Sequence, residues 1–207
     1  MDSFEKKLWG AGFSLIAGVD EAGRGALAGP VVAAAVIFPS WIENFGLRDS
    51  KKLTAARRET LFKEIEQKAV SIGIGVVGPE EIDRINILRA TLKAMEAAIS
   101  FLNPRPDYVI IDGNQSVKCD LPQETIVKGD DRSLSIAAAS IIAKVTRDRV
   151  MASLHDKFPL YNFPGHKGYG TEEHRDAIIK YGMSSVHRKS FVLKTREGEQ
   201  LSIFQRY

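Results

Sequence analysis

Cysteine is nearly missing from this chain: Cys119 is the only one in 207 residues. No disulfide framework can therefore hold it, and nothing in it demands an oxidising compartment. No apolar run approaches the roughly 18 residues that a membrane-crossing helix requires, so no membrane partner is expected. The opening Met1-Asp2-Ser3-Phe4-Glu5-Lys6-Lys7 has no basic stretch leading into an apolar one; secretion is not expected, and a cytoplasmic protein is. The four histidines, His155, His166, His174 and His187, stand 11, 8 and 13 positions apart, which fits no zinc signature. There is no internal repeat and no low-complexity linker. What remains is 44% apolar and 27% charged, the mix of a globular protein. A chain of this length buries about 70% of its unfolded surface, enough for one core. Basic residues number 29 and acidic ones 26, a net charge of +3, which permits a polyanionic partner without requiring one.

Periodicity places the elements. Leu15, Ala17 and Val19 alternate along a strand that runs into Asp20, and Val31 to Phe38 is apolar throughout, as in a strand covered on both faces. Further strands read from Val70 to Val76 with Gly73 and Gly75 inside, from Tyr108 to Ile111, and from Thr125 to Val127. Thr54 is placed to cap a helix with Leu61, Phe62, Ile65 and Ala69 on its apolar face. Asn86 is placed to cap a second carrying Leu88, Leu92, Met95, Ile99 and Leu102, which Pro104 ends. A third, from Leu134 to about Leu154, is rich in Ala and Ile with a single polar stripe of Ser133, Ser140, Lys144 and Arg147. Thr171 to Tyr181 forms the last. Strands first and then alternating helix and strand predict an α/β fold, a mixed five-stranded sheet flanked by helices.

Acids stand at the carboxyl ends of three of those strands: Asp20 and Glu21 after the first, Asp112 after the fourth, Asp130 and Asp131 after the fifth. Strand ends of this kind are where α/β sheets bind ligands. Singly, each is also an ordinary turn former. If the strands are neighbours the carboxylates converge, and such crowding is unfavourable unless a cation neutralises it. Hard oxygen ligands suit Mg²⁺ or Mn²⁺. Because adjacent strand residues point to opposite faces, Asp20 and Glu21 are expected to share a site only where the strand ends or bulges.

The stretch from Gly18 to Val32, which includes Asp20-Glu21-Ala22-Gly23-Arg24-Gly25 and Gly29-Pro30, closely resembles the opening motif of bacterial ribonuclease HII, the type 2 ribonuclease H. Asp49-Ser50-Lys51-Lys52-Leu53, Ile111-Asp112-Gly113-Asn114, Val127-Lys128-Gly129-Asp130, Ala137 to Arg149 and His166-Lys167-Gly168-Tyr169 resemble the motifs that follow in order. The resemblance implies a ribonuclease H-like catalytic domain over residues 1–193, with a small helical, substrate-contacting portion at about 155–193 and a mobile tail at 194–207. It implies an endonuclease that cuts the RNA strand of RNA/DNA hybrids and nicks duplex DNA 5′ to an embedded ribonucleotide. Asp20, Glu21, Asp112 and Asp130 would then be catalytic and hold two divalent ions, Mg²⁺ or Mn²⁺. Gly23, Arg24 and Gly25 would read the ribose 2′-hydroxyl, and Tyr169 would stack on the next sugar. Lys51, Lys52, Lys144, Arg147, Arg149, Lys167, Arg188 and Lys189 are candidates for phosphate contacts. Two other classes share parts of the pattern: a hybrid-binding module without catalysis, and a resolvase-like nuclease lacking the glycine loop and tyrosine.

The polar run from Lys194 to Gln200 leads into Gln200-Leu201-Ser202-Ile203-Phe204. That pentapeptide is similar to the motif by which bacterial proteins dock on the replication sliding clamp, through Gln200, Leu201, Ile203 and Phe204. Packing of the same apolar side chains on the protein's own core is the alternative. A monomer is the simpler expectation for the oligomeric state.

Overall fold

A computed structural model describes residues 3–47, 53–194 and 200–201. Strands β1 (Ile16–Ala22), β2 (Val31–Ile37), β3 (Ser71–Val77), β4 (Tyr108–Asp112) and β5 (Gln123–Ile126) form one sheet in the order β3-β2-β1-β4-β5. The first three meander antiparallel; β4 and β5 join parallel to β1. Helices are α1 (Ser3–Gly10), α2 (Ala55–Lys68), α3 (Pro79–Ile85), α4 (Ile87–Ser100), α5 (Leu134–Lys157), α6 (Phe163–His166) and α7 (Glu172–Tyr181). The short strands β6 (Leu193–Lys194) and β7 (Gln200–Leu201) pair with each other. Among the described residues no helix is long and apolar enough to cross a membrane.

Period-2 alternation sorts the sheet into two faces. Ala17, Val19, Val109 and Ile111 pack toward α4, whereas Ala34, Val36 and Phe38 pack toward α2 and α5. The expected caps are in place: Thr54 Oγ1 accepts from the Arg57 N–H at 3.2 Å and Asn86 Oδ1 from the Arg89 N–H at 3.1 Å. The buried face of α4 is not quite the one its leucines predict. Leu88 is exposed, and Ala90, Ala94 and Ala98 are buried instead. The reason lies in β3: a Cβ on Gly73 or Gly75 would sit 2.0 Å from the Ala98 or Ala94 carbonyl oxygen. Glycine on the strand and alanine on the helix let the two backbones touch.

The helical portion at the C-terminal end rests on the far half of α5 around Ala28, Met151, Tyr161, Phe163 and Ile178. Three histidines are buried in it: His166, His174 and His187. Burial first, and the neighbouring imidazole second, push His174 and His187 down to about 4. Both titrate near 6.5 in an unfolded chain, so their neutral forms contribute full stability above that pH, and the contribution fades as pH falls toward 4. Denaturant titrations should show a loss of about 2 kcal/mol per histidine between pH 7 and pH 5. A midpoint that does not move over that range would contradict the burial of neutral imidazoles.

Candidate active site

The parallel register that pairs Val19 with Ile111 sets the next residues, Asp20 and Asp112, side by side at the strand ends. Both extend the α5-facing series, and Glu21 extends the α4-facing one. No bulge brings Asp20 and Glu21 together: β1 stays in register with β2 through Ala22. Of the two alternatives, a strand end or a bulge, it is the strand end that holds: β1 closes at Ala22, one residue past Glu21. A cleft of about 410 Å³ wraps the end of the sheet and reaches both faces, lined by Asp20, Glu21, Asp112, the Gly23–Gly25 loop, Arg58, Ser140, Lys144 and Tyr169.

Asp20 is 5% exposed. Its Oδ1 accepts the Glu21 N–H at 2.7 Å, and the Ser140 side chain hydrogen-bonds its carboxylate. Burial, then the charges of Glu21 and Asp112, hold its carboxyl well above the usual range. Burial also raises Glu21; Arg24, whose Nη1 lies 3.3 Å from Glu21 Oε1, opposes that shift. Asp112 Oδ1 accepts the Gly129 N–H at 2.6 Å. Two of the three carboxylates are thus oriented by backbone N–H groups while all three open to one cleft.

Asp130 does not line that cleft. It sits in the 3₁₀ turn Gly129–Asp131, 2% exposed, next to the glycine that holds Asp112. The turn is entered through Lys128 in the left-handed conformation (φ 56°).

Among the described residues no three acidic, histidine or cysteine side chains form a ready-made metal cage. A hard cation needs no such cage: Mg²⁺ keeps much of its water and is held by one or two carboxylates plus substrate phosphates. Three partly desolvated carboxylates opening together fit such an ion, because a divalent charge offsets both the burial and the mutual repulsion that raise Asp20 and Glu21.

The glycine loop is held from beneath. Gly23 has φ +95°, and a Cβ there would lie 2.0 Å from Arg147 Nε. Arg147 is fully buried, donating to the Pro30 carbonyl at 2.9 Å and the Ala28 carbonyl at 3.1 Å. Arg188, equally buried, donates to the carbonyls of Gly29 at 3.0 Å and Arg24 at 2.9 Å. Leu27 and Ala28 N–H groups bond the Gly168 carbonyl, tying the loop to the turn that carries Tyr169. Tyr169 itself lies over the Arg147 guanidinium, 5.2 Å from ring centroid to Cζ, with the Lys144 ammonium 6.0 Å away.

These contacts bear on the residues expected to meet phosphate. Arg147 and Arg188 clamp backbone carbonyls and reach no solvent. Lys167 turns its Nζ onto the Pro164 carbonyl, Arg149 pairs with Glu59, and the Lys189 backbone N–H bonds Asp83; none of the three lines the cleft. Lys144 does, and so does Arg58, which nothing in the sequence marks out. The stripe on α5 divides accordingly: Ser140 and Lys144 face the cleft, Ser133 caps the helix and donates to Glu5 Oε1 at 2.6 Å. Lys51, Lys52, Ile203 and Phe204 lie outside the described residues; Gln200 and Leu201 are described only as the backbone of β7.

A family model described as ribonuclease HII matches residues 17–194. Ribonuclease HII of Syntrophus aciditrophicus is 53% identical over 201 residues, covering 97% of this chain and 95% of that protein. Ribonuclease HII of Acetivibrio thermocellus is 56% identical over 188 residues, covering 91% of this chain and 73% of the relative. The solved structure of the PCNA:RNase HII complex from Archaeoglobus fulgidus aligns with a TM-score of 0.75 at 28% identity, over 88% of this chain and 97% of that one.

Proposed function

Because this chain belongs to the ribonuclease HII family, and is on that ground a ribonuclease H, we propose that it hydrolyses the RNA strand of RNA/DNA hybrids and incises duplex DNA 5′ to single ribonucleotides. Products would carry 5′-phosphate and 3′-hydroxyl ends, and the role would be removal of ribonucleotides from DNA, by a monomer in the cytoplasm. The mixed sheet with flanking helices is the ribonuclease H-like fold. The observation that carries the reading is a single cleft lined both by Asp20, Glu21 and Asp112 and by the Gly23–Gly25 loop with Tyr169.

Asp20, Glu21 and Asp112, with Asp130 as the fourth acid, would hold two divalent ions, Mg²⁺ or Mn²⁺. Such ions, when bound, supply an activated water and stabilise charge on the entering and leaving oxygens. The chain's own contribution is placement. Ser140 and the Glu21 N–H orient Asp20, and the Gly129 N–H orients Asp112. Arg24, Arg58 and Lys144 offer positive charge to the nucleic-acid backbone around the cleft. Selectivity has to come from the sugar, since the 2′-hydroxyl is what distinguishes RNA from DNA. Gly23, Arg24 and Gly25 would read it through backbone groups; with the Arg24 carbonyl held by Arg188, and those of Ala28, Gly29 and Pro30 just beyond held by Arg147 and Arg188, the loop reaches substrate already shaped. Tyr169 would pack on the adjacent deoxyribose.

Three duplexes test this: uniform RNA/DNA hybrid, DNA with one ribonucleotide, and DNA alone. The first two should be cut with Mg²⁺ or Mn²⁺, the second on the 5′ side of the ribonucleotide, and the third should survive. Equal cutting of all three would remove the proposal. The residues 200–207 add a partner, a replication sliding clamp, supported by Gln200-Leu201-Ser202-Ile203-Phe204 and by the PCNA complex of the Archaeoglobus fulgidus relative. Clamp capture should require those residues; equal capture without them would exclude the tail.

A further inference from the structure

Behind Tyr169 the buried histidines form a hydrogen-bonded chain whose direction is fixed at both ends. It begins at Ser184, whose backbone N–H donates to His187 Nδ1 at 2.9 Å. His187 Nδ1 is therefore an acceptor, and in the neutral ring the proton is on Nε2. His187 Nε2 lies 3.0 Å from His174 Nε2. One of those two nitrogens must donate, and since His187 does, His174 Nε2 accepts and His174 carries its proton on Nδ1. That atom lies 3.0 Å from the Tyr169 carbonyl oxygen, an acceptor only. Donors and acceptors alternate without conflict from Ser184 to Tyr169. The same turn is held a second time by His166: its Nδ1 accepts the Gly168 N–H at 3.1 Å, so its Nε2 donates to the Tyr161 carbonyl at 2.6 Å. The rings of His166 and His174 stack with centroids 4.2 Å apart, and Phe163 packs edge-on against both.

We infer that His174 is a positioning residue for ribonucleotide discrimination: with its Nδ1–H aimed by His187 and Ser184, it fixes the Tyr169 carbonyl and hence the placement of the Tyr169 ring over the cleft. The inference rests on the reading of Tyr169 as a sugar-contacting residue. His174 touches no substrate in this scheme. Its effect runs through the Gly168-Tyr169 backbone, which also pairs with the glycine loop through the Leu27 and Ala28 N–H groups and the Ala26–Tyr169 bridge. One donated hydrogen bond therefore bears on both elements that face the ribose. Burial keeps all three rings neutral at physiological pH, which the alternation requires: a second proton on His174 or His187 would leave two donors facing each other.

The two ring nitrogens of His174 can be replaced separately. In His174→Asn the side-chain amide N–H stands where Nδ1–H was and keeps the donor to Tyr169. In His174→Gln the amide reaches the position of Nε2, meets His187, and leaves the Tyr169 carbonyl without its donor. The measurement is the ratio of kcat/KM on a single-ribonucleotide duplex to kcat/KM on a uniform hybrid, for wild type, both variants and Tyr169→Ala. His174→Gln should lower the ratio about tenfold, the factor expected from one net hydrogen bond, and His174→Asn should stay within about twofold of wild type. An equal loss on both substrates, with the ratio kept, would make His174 merely structural and overturn the inference. If Tyr169→Ala lowers the ratio and His174→Gln does not, the chain of histidines is overturned while the Tyr169 reading stands. An unchanged ratio in Tyr169→Ala removes the Tyr169 reading and this inference together. Should the variants fail to fold, nitrogen-15 shifts of the wild-type imidazoles decide: Nε2–H on His166 and His187 with Nδ1–H on His174 is required, and any other pattern overturns the assignment.

Discussion

Asp20→Ala should lower turnover on RNA/DNA hybrid by more than about a thousandfold, equivalent to about 4 kcal/mol of transition-state stabilisation. Asp20 occupies the central strand beside Asp112, and its carboxylate is oriented by Ser140 and the Glu21 N–H. Duplex binding should survive. Arg24, Arg58 and Lys144 remain in place around the cleft, and removing a negative charge from a surface that meets a polyanion does not weaken attraction. Single-turnover cleavage and a binding titration on the same hybrid separate the two effects. Preserved turnover would remove Asp20 from the chemistry; binding lost in parallel with turnover would make its role structural.

Gly23→Ala should destabilise the protein by about 2–4 kcal/mol and abolish ribonucleotide discrimination with it. Two costs coincide at this position. The backbone is at φ +95°, where a side chain is strained, and the new methyl would meet Arg147 Nε at 2.0 Å and Cδ at 2.5 Å. Arg147 cannot swing aside cheaply, because it is buried and its guanidinium holds the Pro30 and Ala28 carbonyls; displacing it would leave those acceptors unpaired in the interior. Gly25→Ala is the control. Nothing lies within 4 Å of its Cβ direction, so its stability should match wild type to within about 0.5 kcal/mol. Denaturant midpoints for the two variants decide the matter. Equal stabilities would mean that Arg147 does not brace the loop.

Much of this was legible before any coordinates. Alternation and apolar runs located all five strands of the sheet, and acids directly after three of them pointed to the end where the cleft lies. Thr54 and Asn86 marked helix starts because side-chain capping is a local signal. What escaped depends on contacts between distant residues. Helix α1 carries Glu5, Lys6 and Lys7 and reads as a polar start, yet Glu5 is buried against Ser133 and the Ser135 N–H, about 130 positions away. Arg147 and Arg188 look like phosphate ligands in a list of basic residues; only the fold shows that they donate to the Pro30 and Gly29 carbonyls behind the glycine loop. Asp20 and Glu21 point to opposite faces of β1 and share the cleft because the strand ends just beyond them. At the end of a sheet both faces reach the same cleft. The histidines were read only for zinc spacing, and what joins them is a hydrogen-bonded chain between residues on three segments.

The central claim is that Asp20, Glu21 and Asp112, far apart along the chain, crowd their charges where a divalent cation relieves them. Thermal midpoints of wild type and Asp20→Asn, each in EDTA and in Mn²⁺, test it most directly. Wild type should melt low in EDTA and rise with Mn²⁺ concentration, as mass action requires of an ion that binds only the folded state. Asp20→Asn should melt above wild type in EDTA, since one of three repelling charges is gone, and respond weakly to Mn²⁺. A wild-type midpoint indifferent to Mn²⁺, together with an Asn variant less stable than wild type in EDTA, would contradict the account.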